Sequence, residues 1–315
     1  MLKSPTLAVL SAAAWLDRSN EYRKRAELHT LSARARRDRG LPHPIADFLF
    51  EYYPFSFSFL EQWQPGIGVA MEWEISEPRN PPFKDRWYAS DGNLLFADAS
   101  RLAEKERQRL LWIGELLVAT QSRPANFACH GLHEWAMVYG GKEVRHERTL
   151  KLRLPQVEID ELVETRAICC SHHDAFRFFA KEARPFNRLQ PNLETRPQHE
   201  QPGCLHANMD LYKWAAKAMP WAGSELLLDC FELAVELRDL DMRASPYDLT
   251  DWGREPVCIE TAEGRRIYEE EQKRLASKAA PLRERLISVI QAATADPPEV
   301  RIQTPCQPSF CRSAS

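Results

Sequence analysis

The fifteen residues QPGCLHANMDLYKWA, numbers 201–215, carry a thiol, an imidazole, a carboxylate, a phenol, an amine and an indole. Drawn as a helix, the segment places His206, Asp210, Lys213 and Lys217 on one side, because residues three and four apart are neighbours on a helix surface. Reactive groups placed in this way could form part of a catalytic site. An ion pair between Asp210 and Lys213 or Lys217 at a solvated edge explains the same pattern, so both interpretations stay open.

A second stripe of the same helix is apolar and predicts the face that packs on the core. Its members are Leu205, Met209, Tyr212, Ala216 and Met219. The reactive stripe is therefore expected to lie beside a buried face.

The segment GLHEWAMVYG, numbers 131–140, predicts a short helix that is mostly apolar on all sides and hence buried. His133 and Glu134 are its imidazole and its carboxylate. Ionisable groups in a core must be paired or have shifted pKa values, which makes them candidates for function. A hydrogen-bonded core histidine is an equally good interpretation.

The helix predicted to begin at Ser224 carries most of its acidic residues on one solvated side. Asp241 instead projects with the apolar side, where a carboxylate needs a partner. Arg238 or Arg243 could supply it. The alternatives are a functional carboxylate and an arginine–aspartate clamp that fixes the following turn.

Two further patterns lie around residues 169–178. Ser171 and Asp174 have the spacing of a capping box, which favours a helix cap over a catalytic role for Asp174. If a metal is bound, suitable ligand types are Cys170, His172, Cys204 and His206. The spacings of a zinc ribbon and of H-E-x-x-H are absent from the sequence, so we expect no metal and no cofactor.

The elements that must position these groups are mainly helices. Residues 12–40 read as one long amphipathic helix, and further helices are expected near 97–123, 224–245 and 264–293. A strand is predicted near Val69 and a hairpin with its turn at 90–93, whereas 150–170 reads as extended chain. These elements predict an α+β protein, mainly helical with a small antiparallel sheet, as one domain over 1–293 with a flexible tail at 294–315.

Composition narrows the class of protein. An apolar content of 44% over 315 residues suffices for a large core, and eight cysteines without regular spacing do not suggest a disulfide scaffold. We interpret the apolar start of the chain as part of the fold and not as a signal peptide, and no segment has the ~18 apolar residues that cross a membrane. These features predict a cytoplasmic protein without a membrane partner.

A local excess of basic residues contrasts with the net charge of −3. It lies between Arg18 and Arg39, in the first long helix, and could contact phosphates or simply face solvent. The G-x-S-x-G, G-x-x-x-x-G-K and G-x-G-x-x-G motifs do not occur, which disfavours serine hydrolases, P-loop enzymes and Rossmann dehydrogenases.

Several long strings resemble a family of bacterial, typically actinobacterial, proteins described as 3-methyladenine DNA glycosylases. The similarity extends from about Arg36 to the last helix, and no assigned catalytic residues come with it. It is carried by HPIADFLFEYY, QWQPGIGV, NFACHGLHEWAMVY, CSHHDAFRFF, QPGCLHANMDLYKWA and LDMRASPYDL. The resemblance implies hydrolysis of the N-glycosidic bond of an alkylated purine in DNA.

Such an enzyme flips a nucleotide, holds the base between aromatic rings and uses a carboxylate to stabilise an oxocarbenium ion or to activate water. The predicted catalytic residues are Asp210, His206, Asp241, His133 and Glu134. The predicted substrate-binding residues are Trp135, Tyr139, Tyr212, Trp214, Lys213, Arg238, Arg243 and His172. The partner is then DNA or a nucleoside, and the oligomeric state is left open.

A second hypothesis uses the same residues differently. In it the protein is a small-molecule or nucleoside-processing enzyme, possibly metal-dependent, with a pocket of histidine, cysteine and aspartate side chains. A non-enzymatic binding module is the least favoured alternative, because a passive scaffold does not need inward ionisable residues.

Overall fold

The computed structural model describes residues 7–73, 83, 86–141 and 150–295. Within these ranges the protein is α+β, mainly helical with one small sheet, as predicted from the sequence. The proposed tail lies outside the described residues except for its first two positions.

The sheet has four strands in the order β1-β2-β4-β3. They span Ala8–Leu10 (β1), Val69–Glu72 (β2), Tyr88–Asp91 (β3) and Leu94–Ala97 (β4). The hairpin of β3 and β4 forms where the sequence predicts it, since Gly92 adopts the positive φ that its tight turn needs. The prediction of an antiparallel sheet is wrong for one edge: β1 pairs parallel to β2. The long α1 between them returns the chain in the same direction, which a hairpin cannot do.

Eleven α-helices are present in the described residues, several of them only one turn long. They are α1 (Ala12–Asp38), α2 (Phe48–Tyr52), α3 (Phe57–Glu61), α4 (Glu104–Gln121), α5 (Leu132–Met137), α6 (Gln156–Thr165), α7 (His173–Phe176), α8 (Arg196–His199), α9 (Leu205–Lys217), α10 (Ser224–Arg243) and α11 (Ala262–Thr294). None of the described helices is long and apolar enough to cross a membrane.

The core is built around α9 and α10, which pack against each other and against α11. The apolar stripe predicted on α9 is buried: Leu205, Met209 and Tyr212 are each at most 3% exposed. Because α9 is covered on nearly every side, its second stripe is carried into the interior as well. His206, Asp210 and Lys213 therefore meet other helices, whereas Lys217 at the end of α9 is exposed.

Two local predictions are wrong. Residues 156–165 form α6 rather than extended chain, because Ile159, Leu162 and Val163 repeat at helical spacing and are buried together. The predicted capping box does not form either, since His172 is the residue before α7 and its side chain makes no capping bond. Asp174 instead accepts hydrogen bonds from two cationic side chains of other elements.

Part of the basic excess of α1 is used inside the fold. Arg25 pairs with Asp229 and Glu232 of α10, and Arg36 pairs with Asp47. Other basic residues of the helix, such as Arg18 and Arg23, are exposed. The acidic side of α10 is thus partly covered by α1, which reduces the positive charge that α1 presents to solvent.

Candidate functional site

Three imidazoles from three helical segments form a column in the interior. The ring of His206 on α9 lies 4.7 Å from that of His133 and 5.6 Å from that of His172, measured between centroids. His133 and His172 are at most 3% exposed, whereas the side chain of His206 is 15% exposed. The structure thus brings together the three histidines that the sequence predicted to share a site with Asp210 and Asp241; that they act in one site stays a prediction.

One end of the column is formed by Asp241 of α10. Its Oδ1 lies 2.9 Å from His133 Nε2, and its Oδ2 accepts a hydrogen bond of 2.8 Å from Arg238. Arg238 also reaches Glu134 at 3.5 Å, and Asp241 is fully buried. Arg238 is therefore the partner that the sequence analysis required for this inward carboxylate.

The surroundings of this end give its two carboxyl groups, Asp241 and Glu134, very different pKa values. Burial would raise the pKa of Asp241, but the neighbouring histidines and Arg238 outweigh it and hold that pKa below its usual range. Burial, assisted by the charge of Asp241, raises the pKa of Glu134 to about 7. Glu134 can therefore exchange a proton near neutral pH while Asp241 stays ionised.

The pKa values of His206 and His133 also differ strongly. Burial lowers the pKa of His206 to about 3, so this ring is neutral at physiological pH. Burial also disfavours charge on His133, yet the Cys129 sulfur and Asp241 on its two sides raise its pKa well above the ordinary value. His133 is thus a charged ring of the column and His206 a neutral one.

The other end of the column is an ion cluster around Asp210 of α9, which is 1% exposed. Tyr53 donates a hydrogen bond of 2.8 Å to Oδ1. Arg196 and Lys213 each donate one of 2.5 Å to Oδ2, and His172 Nε2 lies 3.2 Å from the same oxygen. Both carboxylate oxygens of Asp210 therefore already have protein partners.

This cluster extends to two more carboxylates. Asp174 accepts from Arg196 at 3.1 Å and from Lys213 at 3.2 Å, and Glu200 pairs with Arg196. Burial would raise the pKa of Asp210, but Lys213, His172 and Arg196 together hold it well below its usual range. The alternative of an Asp210–Lys213 ion pair is thus realised, although in the interior and not at a solvated edge.

The sequence analysis did not single out Cys129, Arg196 or Tyr53. The Sγ of Cys129 lies 3.3 Å from His133 Nδ1, the ring nitrogen opposite the one that faces Asp241. Cys129 lies in the turn before α5 and not on the helix, because His130 and Gly131 have positive φ, so its spacing to His133 was not a helical signal. Arg196 gave no signal either, since it lies in a segment that reads as a loop.

Several predicted substrate-binding residues lie elsewhere. The rings of Trp135 and Tyr212 are fully buried in the core, so they have no free face for a base. The Tyr139 hydroxyl donates to Glu164 of α6, and Arg243 pairs with Asp239 and donates to the backbone of Glu255, so neither joins the cluster. Trp214 does lie beside it, with Lys213 Nζ 4.4 Å from the centre of its ring.

Two sets of side chains in the described residues bring metal-ligand types within 4.8 Å of one another. Neither set contains a cysteine, so Cys170 and Cys204 are not grouped with His172 and His206 in the way the sequence suggested. Each set already contacts a protein cation, because Arg238 pairs with Asp241 and Arg196 with Asp210. The sets are His133, Glu134, His206 and Asp241, and His172, Asp174 and Asp210.

A shallow surface cavity of about 360 Å³ adjoins the loop that carries Cys129. His130, the next residue in the chain, is part of its wall, and Glu269 lies 3.5 Å from the His130 ring. Its lining is largely charged and consists of His130, Arg265, Arg266, Glu269, Glu270 and Lys273 together with Ala262. A cavity of this volume is at the lower end of those that hold small ligands.

Comparison of the chain with protein-family models, with curated proteins and with solved structures finds no match.

Proposed function

We propose that the protein is a hydrolase for a small-molecule substrate and that its active site is the end of the imidazole column formed by His133, Glu134, His206 and Asp241. The observation that supports this most strongly is the convergence of these four side chains, whose functional atoms lie within 4.8 Å of one another. They come from α5, α9 and α10; α9 and α10 are consecutive helices, whereas α5 is distant from both in the sequence.

The exposure of the individual groups supports a division of roles. The side chains of His206 and Glu134 are 15% and 10% exposed, whereas Asp241 is completely buried. Glu134, with a pKa of about 7, suits proton donation to a leaving group or proton removal from water. Asp241 acts through His133 by holding its ring, so it is a positioning residue.

The surface near the site favours a small molecule over a nucleic acid duplex, judged from a cavity that is lined by His130 and by none of the four side chains of the cluster. The cavity beside the Cys129–His130 loop is shallow and its charged lining is of mixed sign. A duplex requires a continuous positive surface for its phosphates. An alkylated nucleoside, the substrate class nearest to the family resemblance, is therefore the first natural probe to test.

A DNA glycosylase that acts on 3-methyladenine-like bases is the second candidate. It is favoured by Asp210, which is held ionised next to aromatic rings, and by exposed basic residues of α1 such as Arg18 and Arg23. In this role Asp210 would have to release at least one of its hydrogen bonds to approach the sugar.

One experiment tests both candidates. Purified protein is incubated with dimethyl-sulfate-treated DNA, with free 7-methylguanosine and with p-nitrophenyl acetate, and the products are separated by chromatography. We expect turnover of a small probe that Glu134→Gln reduces and Asp210→Asn leaves largely intact in the folded fraction. Base release from DNA that only Asp210→Asn abolishes would support the glycosylase instead. Turnover of small probes that is insensitive to Glu134→Gln and His133→Gln would contradict our first proposal.

A further inference from the structure

The His133 ring contacts a thiol on the side that faces away from Asp241. Cys129 Sγ is 3.3 Å from His133 Nδ1, and His133 Nε2 is 2.9 Å from Asp241 Oδ1. Sulfur, imidazole and carboxylate are thus connected in the order that activates a nucleophile in cysteine hydrolases. Unlike Asp241 and His133, Cys129 is partly exposed as a residue, although its thiol is itself desolvated by burial.

The backbone around Cys129 is held in an uncommon conformation. His130 has a φ of 47°, and it is the one non-glycine residue with positive φ in the described part of the chain. Gly131 follows with a φ of 77°, where a side chain would meet Ala244 and Tyr268 at 3.2 and 3.4 Å. Such strain costs on the order of 1–3 kcal/mol and is found preferentially at functional sites. Here the turn places Cys129 directly before α5, facing His133.

The surroundings of the sulfur stabilise its ionised form. A hydrogen bond from the Cys170 thiol lowers the pKa of Cys129, burial opposes this, and the charge of His133 lowers the pKa further, to well below the ordinary value. Cys204 differs, because burial raises its pKa to about 12. The ionisable groups facing Cys129 are His133, Cys170, Cys204 and Tyr268, together with the more distant Cys169.

We propose that Cys129 is a nucleophile that forms a covalent S-acyl intermediate, and that the substrate is a small, activated acyl compound such as an ester or thioester. This inference rests on the proposed function, since it takes the same cluster as the active site and narrows the reaction to acyl transfer. It makes Cys129 the catalytic residue, His133 the proton carrier and Asp241 the positioning residue.

The reaction balances without a cofactor. The Cys129 thiolate attacks the carbonyl carbon, the bond to the leaving group breaks, and that group takes the proton from His133 Nδ1. A water molecule then gives a proton to the same nitrogen as its oxygen attacks the acyl carbon, and the thiolate leaves. The products are the leaving group with one added hydrogen and the free acid. Asp241 stays ionised throughout and holds the Nε2 proton of His133.

The central test is the site of acylation. Wild-type protein is mixed with p-nitrophenyl acetate, quenched in acid and examined by intact-protein and peptide mass spectrometry, and p-nitrophenol release is followed in parallel. We expect one acetyl group on Cys129 and a burst of p-nitrophenol. Cys129→Ser should lose both. Cys204→Ser is the matched control, because it changes a neighbouring thiol whose pKa burial raises, and it should leave both intact.

A second readout uses the protonation state and does not require turnover. An ordinary cysteine is only about one part in a hundred thiolate at pH 6.5. The rate at which iodoacetamide alkylates Cys129 should therefore rise less between pH 6.5 and 8.5 than that of an ordinary thiol, and at pH 6.5 it should be several-fold higher, because the gain in thiolate fraction outweighs the lower nucleophilicity of a less basic thiolate. An ordinary midpoint near pH 8.5, or acetylation of Cys204 or Cys169 in place of Cys129, would overturn the inference.

The outcomes separate this inference from the proposed function. Hydrolysis of 7-methylguanosine that depends on Glu134 but survives Cys129→Ser would leave the proposed function standing and refute the nucleophile. Acetylation of Cys129 without hydrolysis of the nucleoside would support the nucleophile and exclude that nucleoside as the substrate.

Discussion

The two ends of the imidazole column contain the same kinds of residue and differ in how completely these are paired. Asp210 and Asp241 are both buried, and each contacts a histidine and an arginine. Asp210 also accepts from Lys213 and Tyr53, so its oxygens are fully used. The Asp241 end instead leads through His133 to the sulfur of Cys129. We infer that a buried ion cluster whose members contact only one another stabilises the structure. A cluster whose histidine also contacts a thiol can in addition support chemistry.

The largest expected effect is on the stability that the ion cluster around Asp210 provides. Asp210→Ala removes the nearer of the two acceptors that Arg196 and Lys213 share and leaves them Asp174, which should lower the free energy of unfolding by up to about 3–5 kcal/mol. Urea denaturation of the variant and the wild type measures this. Asp241→Ala is expected to fall in the same range, because it leaves Arg238 in the core without its closest partner. A loss below about 1 kcal/mol for Asp210→Ala would mean that the cluster is not a structural clamp.

The next effect distinguishes the two ends by reactivity. Asp241→Asn removes the charge that holds His133 protonated, so the midpoint of Cys129 alkylation should rise by about one pH unit, which is about tenfold in rate at a pH below both midpoints. Asp210→Asn should leave this midpoint unchanged although it destabilises the fold. Iodoacetamide kinetics on the folded fraction provide the measurement, and equal shifts in both variants would remove the contrast between the ends.

The raised pKa of Glu134 predicts that the stability of the fold decreases as the pH rises from about 4.5 to about 7. Its pKa is raised from 4.5 to about 7, so between these values the folded protein binds more protons than the unfolded chain. The contribution of Glu134 is thus fully present below about pH 4.5 and is lost as the pH rises through about 7. Glu134→Gln, which resembles the protonated form, should flatten the slope of unfolding free energy against pH in this interval. An unchanged slope would contradict the raised pKa.

The smallest effect is expected outside the column. Arg243 forms a partly exposed ion pair with Asp239 at 3.7 Å. Arg243→Ala should change the free energy of unfolding by less than about 1 kcal/mol and leave Cys129 alkylation unaltered, because exposed pairs contribute little. A larger effect on alkylation would mean that Arg243 influences Cys129 and belongs to the candidate site.

The sequence by itself determined the main helices and their buried faces. The apolar stripe of α9 and the inward direction of Asp241 follow from helical periodicity, which depends only on residue order. The hairpin at 90–93 follows in the same way from its turn residues. These features are local, so they could be predicted without knowing which elements meet. Residues 156–165 were mispredicted because β-branched residues there obscured a helical spacing.

Only the tertiary structure decided which reactive groups act on one another. Cys129 and Asp241 are 112 positions apart and meet on opposite sides of one ring, and Arg196 reaches Asp210 from a segment without a clear sequence pattern. Side-chain types fix what each group can do, but charge, burial and pKa depend on neighbours contributed by other helices. For that reason the histidines and carboxylates of the site could be predicted from the sequence. Only the packing showed that Asp210 is surrounded by its own ion partners, whereas Asp241 is linked through His133 to the Cys129 thiol.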